Sequence, residues 1–260
     1  ILGFIVALLF IKSSLDHLNV GSGYYYDEVA AMLVFGGTLA TMIITFPPRY
    51  LYKFFKAPWQ MMVDKSGKAQ QNAEVFVKAS MQEGNQNHFL LQQLKNPDLD
   101  PFLKEGIELL VMGLKREEFK DILTERIYRS RQREEDVVNL FRKLAKYPPA
   151  FGLVGTVLGL ISLMRSVGSG ADASTVGLNM SLALSATLYG LAFSNFVLAP
   201  IAENFQRVAD EKKVFREFLF EGLLLLFDQK DPLSVQEMLN SYIEPSQRLD
   251  LLGIRQQEAS

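Results

Sequence analysis

Charged side chains are absent from three stretches of the chain, residues 29–48, 147–164 and 173–202. A hydrocarbon core about 30 Å thick takes about 20 apolar residues of helix. The first and third stretches meet that length and the second approaches it. A fourth apolar run, residues 1–11, becomes a truncated span when Ser13, Ser14 and Leu15 are added and Lys12 snorkels to the surface. It starts on Ile1, and no clean small-residue cleavage site follows Ile11. A span with residues missing or removed before it is therefore expected, rather than a cleaved signal peptide.

The polar segments between these stretches carry helical punctuation. Pro47-Pro48 ends the second span, because prolines donate no backbone hydrogen bond and push Phe46 out of the helical region. Residues 49–56 mix aromatic and basic side chains and suit a short helix at the headgroup level, while Tyr24, Tyr25 and Tyr26 suit an aromatic belt on the other face. Residues 67–95 are polar, and residues 97–101 form a turn with Asp100 as a helix N-cap. From there to Lys146 only Gly106 and Gly113 interrupt a helical pattern. Phe119, Ile122, Leu123 and Ile127 make one apolar stripe. The charged run 130–136 loses that stripe, and reads as a solvated face, an inter-subunit ion-pair network or a hydrated vestibule. Residues 203–227 are helical again, Asp231-Pro232 breaks the pattern, and residues 233–243 make a last short helix. No strand-like alternation, repeat or low-complexity tract occurs. The expected fold class is all-α: a four-span membrane helical protein with a large cytoplasmic helical domain. Its segments are a first transmembrane hairpin (1–48), a cytoplasmic helical domain with an interfacial helix (49–146), a second transmembrane hairpin (147–202) and a cytoplasmic helical tail (203–260).

Charge sets the orientation. Residues 47–148 hold 18 Lys and Arg and the tail after residue 202 holds seven, whereas the two short connections carry only Lys12 and Arg165. The positive-inside rule then places both large polar segments, and both termini, in the cytoplasm of a cell with a multi-pass inner membrane. Over all 260 residues, 27 basic and 29 acidic side chains leave a net charge of −2, which offers nucleic acid no attractive field. With no cysteine and only His17 and His88 as imidazoles, thiol chemistry and common metal frameworks are excluded, and no cofactor is expected. Ser, His and Asp are present, but nothing places them together, so an enzyme is not expected.

The candidate chemistry lies in the last two spans. Pro148 and Pro149 open the third, and Gly155 and Gly159 form a G-x-x-x-G pair with Gly152 three residues before it. Bare backbone on that face admits close packing by another helix, within the subunit or from a partner. Thr156 adds a hydroxyl. The fourth span contributes Ser181, Ser185, Thr187, Tyr189, Gly190, Ser194 and Asn195, and Pro200 is expected to bend or end it. No Asp, Glu, Lys or Arg lies inside the three long spans, so they hold no group that could store a proton at that depth. If the chain helps conduct ions, another polypeptide supplies the acid. A self-contained secondary transporter would need its own intramembrane site and commonly a paired repeat, and neither appears.

These motifs, in this order, resemble the MotA family, the larger subunit of the flagellar motor stator. Val34-Phe-Gly-Gly-Thr38 with Pro47 is similar to the family's second span, and Pro101-Phe-Leu-Lys-Glu-Gly-Ile-Glu-Leu-Leu-Val-Met-Gly113 to its cytoplasmic helix. Pro149-Ala-Phe-Gly-Leu-Val-Gly-Thr156 and Ala186-Thr-Leu-Tyr-Gly190 resemble its third and fourth spans, and Glu221-Gly222 with Asp231-Pro232 its tail. The resemblance implies a homo-oligomeric ring of five subunits in the bilayer around two copies of a MotB-like partner, whose single helix carries the ion-binding Asp. It implies an ion path lined by Pro149, Gly152, Gly155, Thr156, Gly159, Ser185, Ala186, Thr187, Tyr189 and Pro200, and torque passed to the rotor protein FliG. Sodium-type members have threonine in both spans; Ala186 replaces the first of the Thr-Thr-Leu-Tyr-Gly pattern, which favours H+, while Ser185 keeps Na+ open. The family's basic cluster in the rotor-contacting loop is absent from residues 81–94, leaving Lys78, Glu83 and Lys95 as rotor-facing candidates. The alternatives are an ExbB/TolQ-type proton-driven transducer, or a MotA-like unit driving a non-flagellar rotor.

Overall fold

The structure, a computed structural model, describes residues 26–47, 69–82, 85–97 and 99–250, together with Leu9 and Ser13. The rest of the expected first span, Tyr24 and Tyr25, and the aromatic–basic segment 49–56 lie outside the described residues. Among the described residues every regular element is helical.

Helix α1 spans Glu28–Thr45. The Asp27 carboxylate accepts from the Ala30 N–H at its start. Phe46 is extended (φ −115°, ψ 133°) at its end, as a residue before proline should be. Residues Met32–Gly36 form a π-helical turn within it. There follow α2 (Ala69–Ser80), α3 (Gln86–Gln93), α4 (Pro101–Val111), α5 (Arg116–Leu144), α6 (Tyr147–Gly168), α7 (Ala173–Phe193), α8 (Ala199–Phe227) and α9 (Pro232–Asn240). Asp100 caps α4 through the Phe102 N–H with Pro101 in the first turn, as its sequence announces. Gly113, at φ +72°, ends α4 in the left-handed region that glycine tolerates. Gly106 stays inside the helix.

Pro200 does not end its helix. Residues Ser194–Leu198 form a second π-helical turn, and the Ala199 N–H reaches back five residues to the Ser194 carbonyl. The widened turn carries the helix past a residue that has no N–H to give, so α7 runs through it into α8. Among the described residues, three helical stretches are long and apolar enough to cross a membrane: Glu28–Thr45 and windows within Arg116–Gly168 and Ala173–Phe227.

The chain divides into two compact units, residues 1–62 with 135–206 and residues 63–134 with 207–260. The second unit is built around Phe76, Leu103, Ile107, Phe119, Leu123, Phe218 and Leu223, all 2% exposed or less. Two members of the predicted stripe, Phe119 and Leu123, are buried there, with Ile122 and Ile127 packed against the same core. Two glycines set its closest approaches. A Cβ on Gly106 would drive into the Leu223 side chain, and one on Gly222 would lie 2.6 Å from the Phe76 ring.

The charged run 130–136 is partly an ion-pair network within this unit rather than a plainly solvated face. Arg131 meets Asp210 at 2.8 Å, and Arg216 grips Glu134 with two nitrogens at 2.8 and 3.0 Å. The Glu134 and Arg216 side chains are only 20% and 17% exposed. Arg116 similarly holds Asp228 at 2.7 and 2.8 Å, and this hydrogen bonding keeps the Asp228 carboxyl below its usual range.

Phe76→Ala should destabilise the second unit by about 3–5 kcal/mol, read from denaturant unfolding followed by circular dichroism. A carboxyl with a depressed folded-state pKa stabilises above its unfolded value and loses that contribution as pH falls through the folded one. Arg116→Gln should therefore flatten the acid limb of a thermal-stability profile, a change that acid titration of the unfolding midpoint will register.

Candidate functional site

Helices α6 and α7 form an antiparallel hairpin whose backbones nearly touch. A Cβ on Gly152 would lie 2.9 Å from the Ala186 carbonyl oxygen, and one on Gly159 would lie 2.7 Å from the Ala183 methyl. One on Gly155 would run into the Ala186 methyl, and one on Gly190 into the Pro148 carbonyl. Partner numbers fall as the α6 numbers rise, so the glycines form a seam from Pro148–Gly190 to Gly159–Ala183. The G-x-x-x-G pair thus packs against the next helix of the same chain. Its neighbour Ala186, fully buried, fills the space that a side chain at 155 would need.

The seam brings two hydroxyls together. Thr156 Oγ1 and Thr187 Oγ1 are 2.5 Å apart. Thr156 also lies 3.1 Å from the Gly152 carbonyl and 3.2 Å from that of Ala183, and Thr187 lies 3.3 Å from the latter. Each hydroxyl has one proton and two lone pairs. When one donates to the other, the second donates to a carbonyl, and both protons are used inside the hairpin. The pair then offers oxygen lone pairs, which can solvate a passing cation but cannot store a proton.

Two α6 serines extend this polar line, a feature sequence reasoning missed. Ser162 donates to Asn179 Oδ1 at 2.9 Å, and the Asn179 amide donates to Ser166 at 2.8 Å. The four-residue spacing of Ser162 and Ser166 was the available signal. Ser185 is buried, and Thr156 and Thr187 are half-buried. The Tyr189 hydroxyl accepts from the Asp27 N–H at 2.8 Å, which ties the start of α1 to α7. Ala30, Val34 and Ala186 pack together beside that contact. Pro149 sits in the first turn of α6, where a missing amide proton costs nothing within the helix. Pro200 is exposed.

The rotor-facing candidates are scattered by comparison. Lys78, on α2, pairs with Glu74 at 3.1 Å, and Lys95 is exposed after α3. Glu83 lies outside the described residues.

The described residues are helical, with three stretches long and apolar enough to cross a membrane and one pair of helices closed by glycines around two hydroxyls, which is the build of a polytopic membrane protein. Residues 94–218 match the model of the MotA/TolQ/ExbB proton channel family. It is 24% identical to Motility protein A of Borreliella burgdorferi, across 96% of this chain and 95% of that protein. It is also 24% identical to chemotaxis protein PomA of Vibrio alginolyticus, across 87% of each. The fold superposes on the flagellar MotAB stator complex of Bacillus subtilis with a TM-score of 0.82 at 22% identity, covering 100% of this chain and 99% of that one.

Gly190→Ala places a methyl on a backbone carbonyl that has little room to yield. It should cost about 1–3 kcal/mol of hairpin stability. Gly177→Ala, at a position with nothing within 4 Å, should be neutral. Thermal unfolding of the two variants in detergent makes the comparison.

Proposed function

We propose that this chain is the ring-forming subunit of an ion-driven flagellar stator. Five copies surround two copies of a MotB-like single-span protein in the bacterial inner membrane. Each subunit has four spans, the first within residues 1–15, and both termini are cytoplasmic. The subunit performs no covalent chemistry. It provides oxygen-lined walls, and the partner provides the intramembrane carboxylate that binds and releases the ion.

The observation that carries this reading is the Thr156–Thr187 pair, held at 2.5 Å inside two stretches that contain no Asp, Glu, Lys, Arg or His. Hydroxyls at that position help a cation shed water without trapping it, and a proton acceptor must come from elsewhere. Neutralising the partner's carboxylate lowers its desolvation cost and frees it from the surrounding dipoles, so each ion releases one step of the ring. H+ is favoured over Na+: Ala186 is a buried methyl where sodium-type relatives are expected to carry a hydroxyl, and each lost hydroxyl leaves dehydrated Na+ one oxygen ligand fewer, with Ser185 beside it the residue that keeps Na+ open. Torque passes to FliG through the polar unit, with Lys78, Glu83 and Lys95 as the rotor-facing charges. Resemblance to Motility protein A over nearly the full length supports a stator over an ExbB/TolQ-type transducer.

Thr156→Val and Pro149→Ala should each abolish rotation while the ring still assembles with its partner. Swimming assays of cells carrying each variant, alongside recovery of the complex from membranes, provide the test. Normal motility in either would remove the pore assignment. Replacing Na+ by K+ should leave wild-type swimming intact, whereas a protonophore should stop it.

A further inference from the structure

The backbone at the α5–α6 junction has a debt that the local sequence cannot settle. In a continuous helix the Ala145 carbonyl would accept the N–H of residue 149, but residue 149 is proline and has none. A carbonyl left unpaired away from water is destabilising, so another donor is required. That donor is Ser194: its Oγ lies 2.6 Å from the Ala145 carbonyl, and the residue is 6% exposed.

Ser194 is also the first residue of the π-helical turn that lets the helix continue past Pro200, and its own carbonyl takes the five-residue bond from Ala199. One turn earlier on the same face of α7, Gly190 presses bare backbone against the Pro148 carbonyl. Gly190 and Ser194 therefore grip the Pro148-Pro149 break from two successive turns. The break between α5 and α6 and the widened turn between α7 and α8 are two halves of one junction.

We infer that Ser194 is a positioning residue: its hydroxyl replaces the amide proton that Pro149 lacks, and so locks the proline-bearing first turn of α6 in register with the widened turn ahead of Pro200 at one end of the hydroxyl-lined hairpin. Gly152, whose carbonyl faces Thr156, follows Pro149 by three residues, so a shift at the junction is passed directly to the hydroxyl pair. The functional part of this inference rests on the stator reading; the hydrogen-bond replacement does not.

A double-mutant cycle tests the replacement on the purified full-length chain. Ser194→Ala should lower the thermal unfolding midpoint by about 2–4 °C. In a Pro149→Ala background the same change should have almost no effect, because residue 149 then supplies its own N–H to Ala145. Shifts that simply add would overturn the inference. In cells co-expressing the partner, Ser194→Ala should slow rotation severalfold at an unchanged membrane level of the complex. Full-speed rotation would overturn the positioning role. A non-additive cycle in a protein that drives no rotation even as wild type would sink the stator reading and leave the hydrogen-bond replacement standing.

Discussion

Close approach of two helix backbones is the constraint on which this molecule's site depends. A threonine hydroxyl reaches only a short distance from its own helix, so Thr156 and Thr187 can meet only if α6 and α7 pack with almost nothing between them. Glycines at 152, 155, 159 and 190 make that possible, since a methyl at each would collide with backbone or with an alanine methyl across the seam. Among apolar surroundings there is little hydrophobic gain in pairing two such helices. Van der Waals contact and interhelical hydrogen bonds must hold them, and both need short distances. The same seam thus supplies the cohesion of the hairpin and the geometry of its polar line.

Backbone accounting explains the second notable feature, the cluster of prolines and π-helical turns. Each proline removes a donor and leaves a carbonyl to be satisfied. In α6 the two prolines lie in the first turn, where donors are surplus, and the carbonyl just before them is met from α7 by Ser194. At Pro200 the helix survives because the preceding turn widens to five-residue bonding. Such wide turns are seldom retained without a use. Here one supplies the side chain that closes a gap in its neighbour.

The second unit follows different rules. Its core is aromatic and aliphatic, tightened by Gly106 against Leu223 and Gly222 against Phe76. Its charges form specific pairs instead of a uniform solvated face. The Arg216–Glu134 pair has two-pronged geometry and low exposure, the features that let an ion pair fix orientation rather than merely decorate a surface.

The sequence by itself determined the helical character of the chain, its uncharged stretches and most of its punctuation. Asp100 caps the helix it announces, Asp231-Pro232 separates the last two helices, and Phe46 leaves the helix before Pro47. These are local effects, decided within a turn or two, which is why periodicity and composition expose them. The stripe through Phe119 and Leu123 was legible for the same reason. Candidate site residues on α6 and α7 were legible as types, but not as partners. Only the tertiary structure decided that the glycines face their own hairpin, that Tyr189 holds the start of α1, that Asn179 links Ser162 to Ser166, and that Ser194 answers for Pro149. Pro200 shows the limit most clearly. Proline predicts a break from its missing amide, yet a widened turn just upstream lets the helix pass. The reason is physical: contacts between residues 13 to 162 positions apart depend on how helices pack, and that information lies in their mutual fit rather than in any one window of the chain.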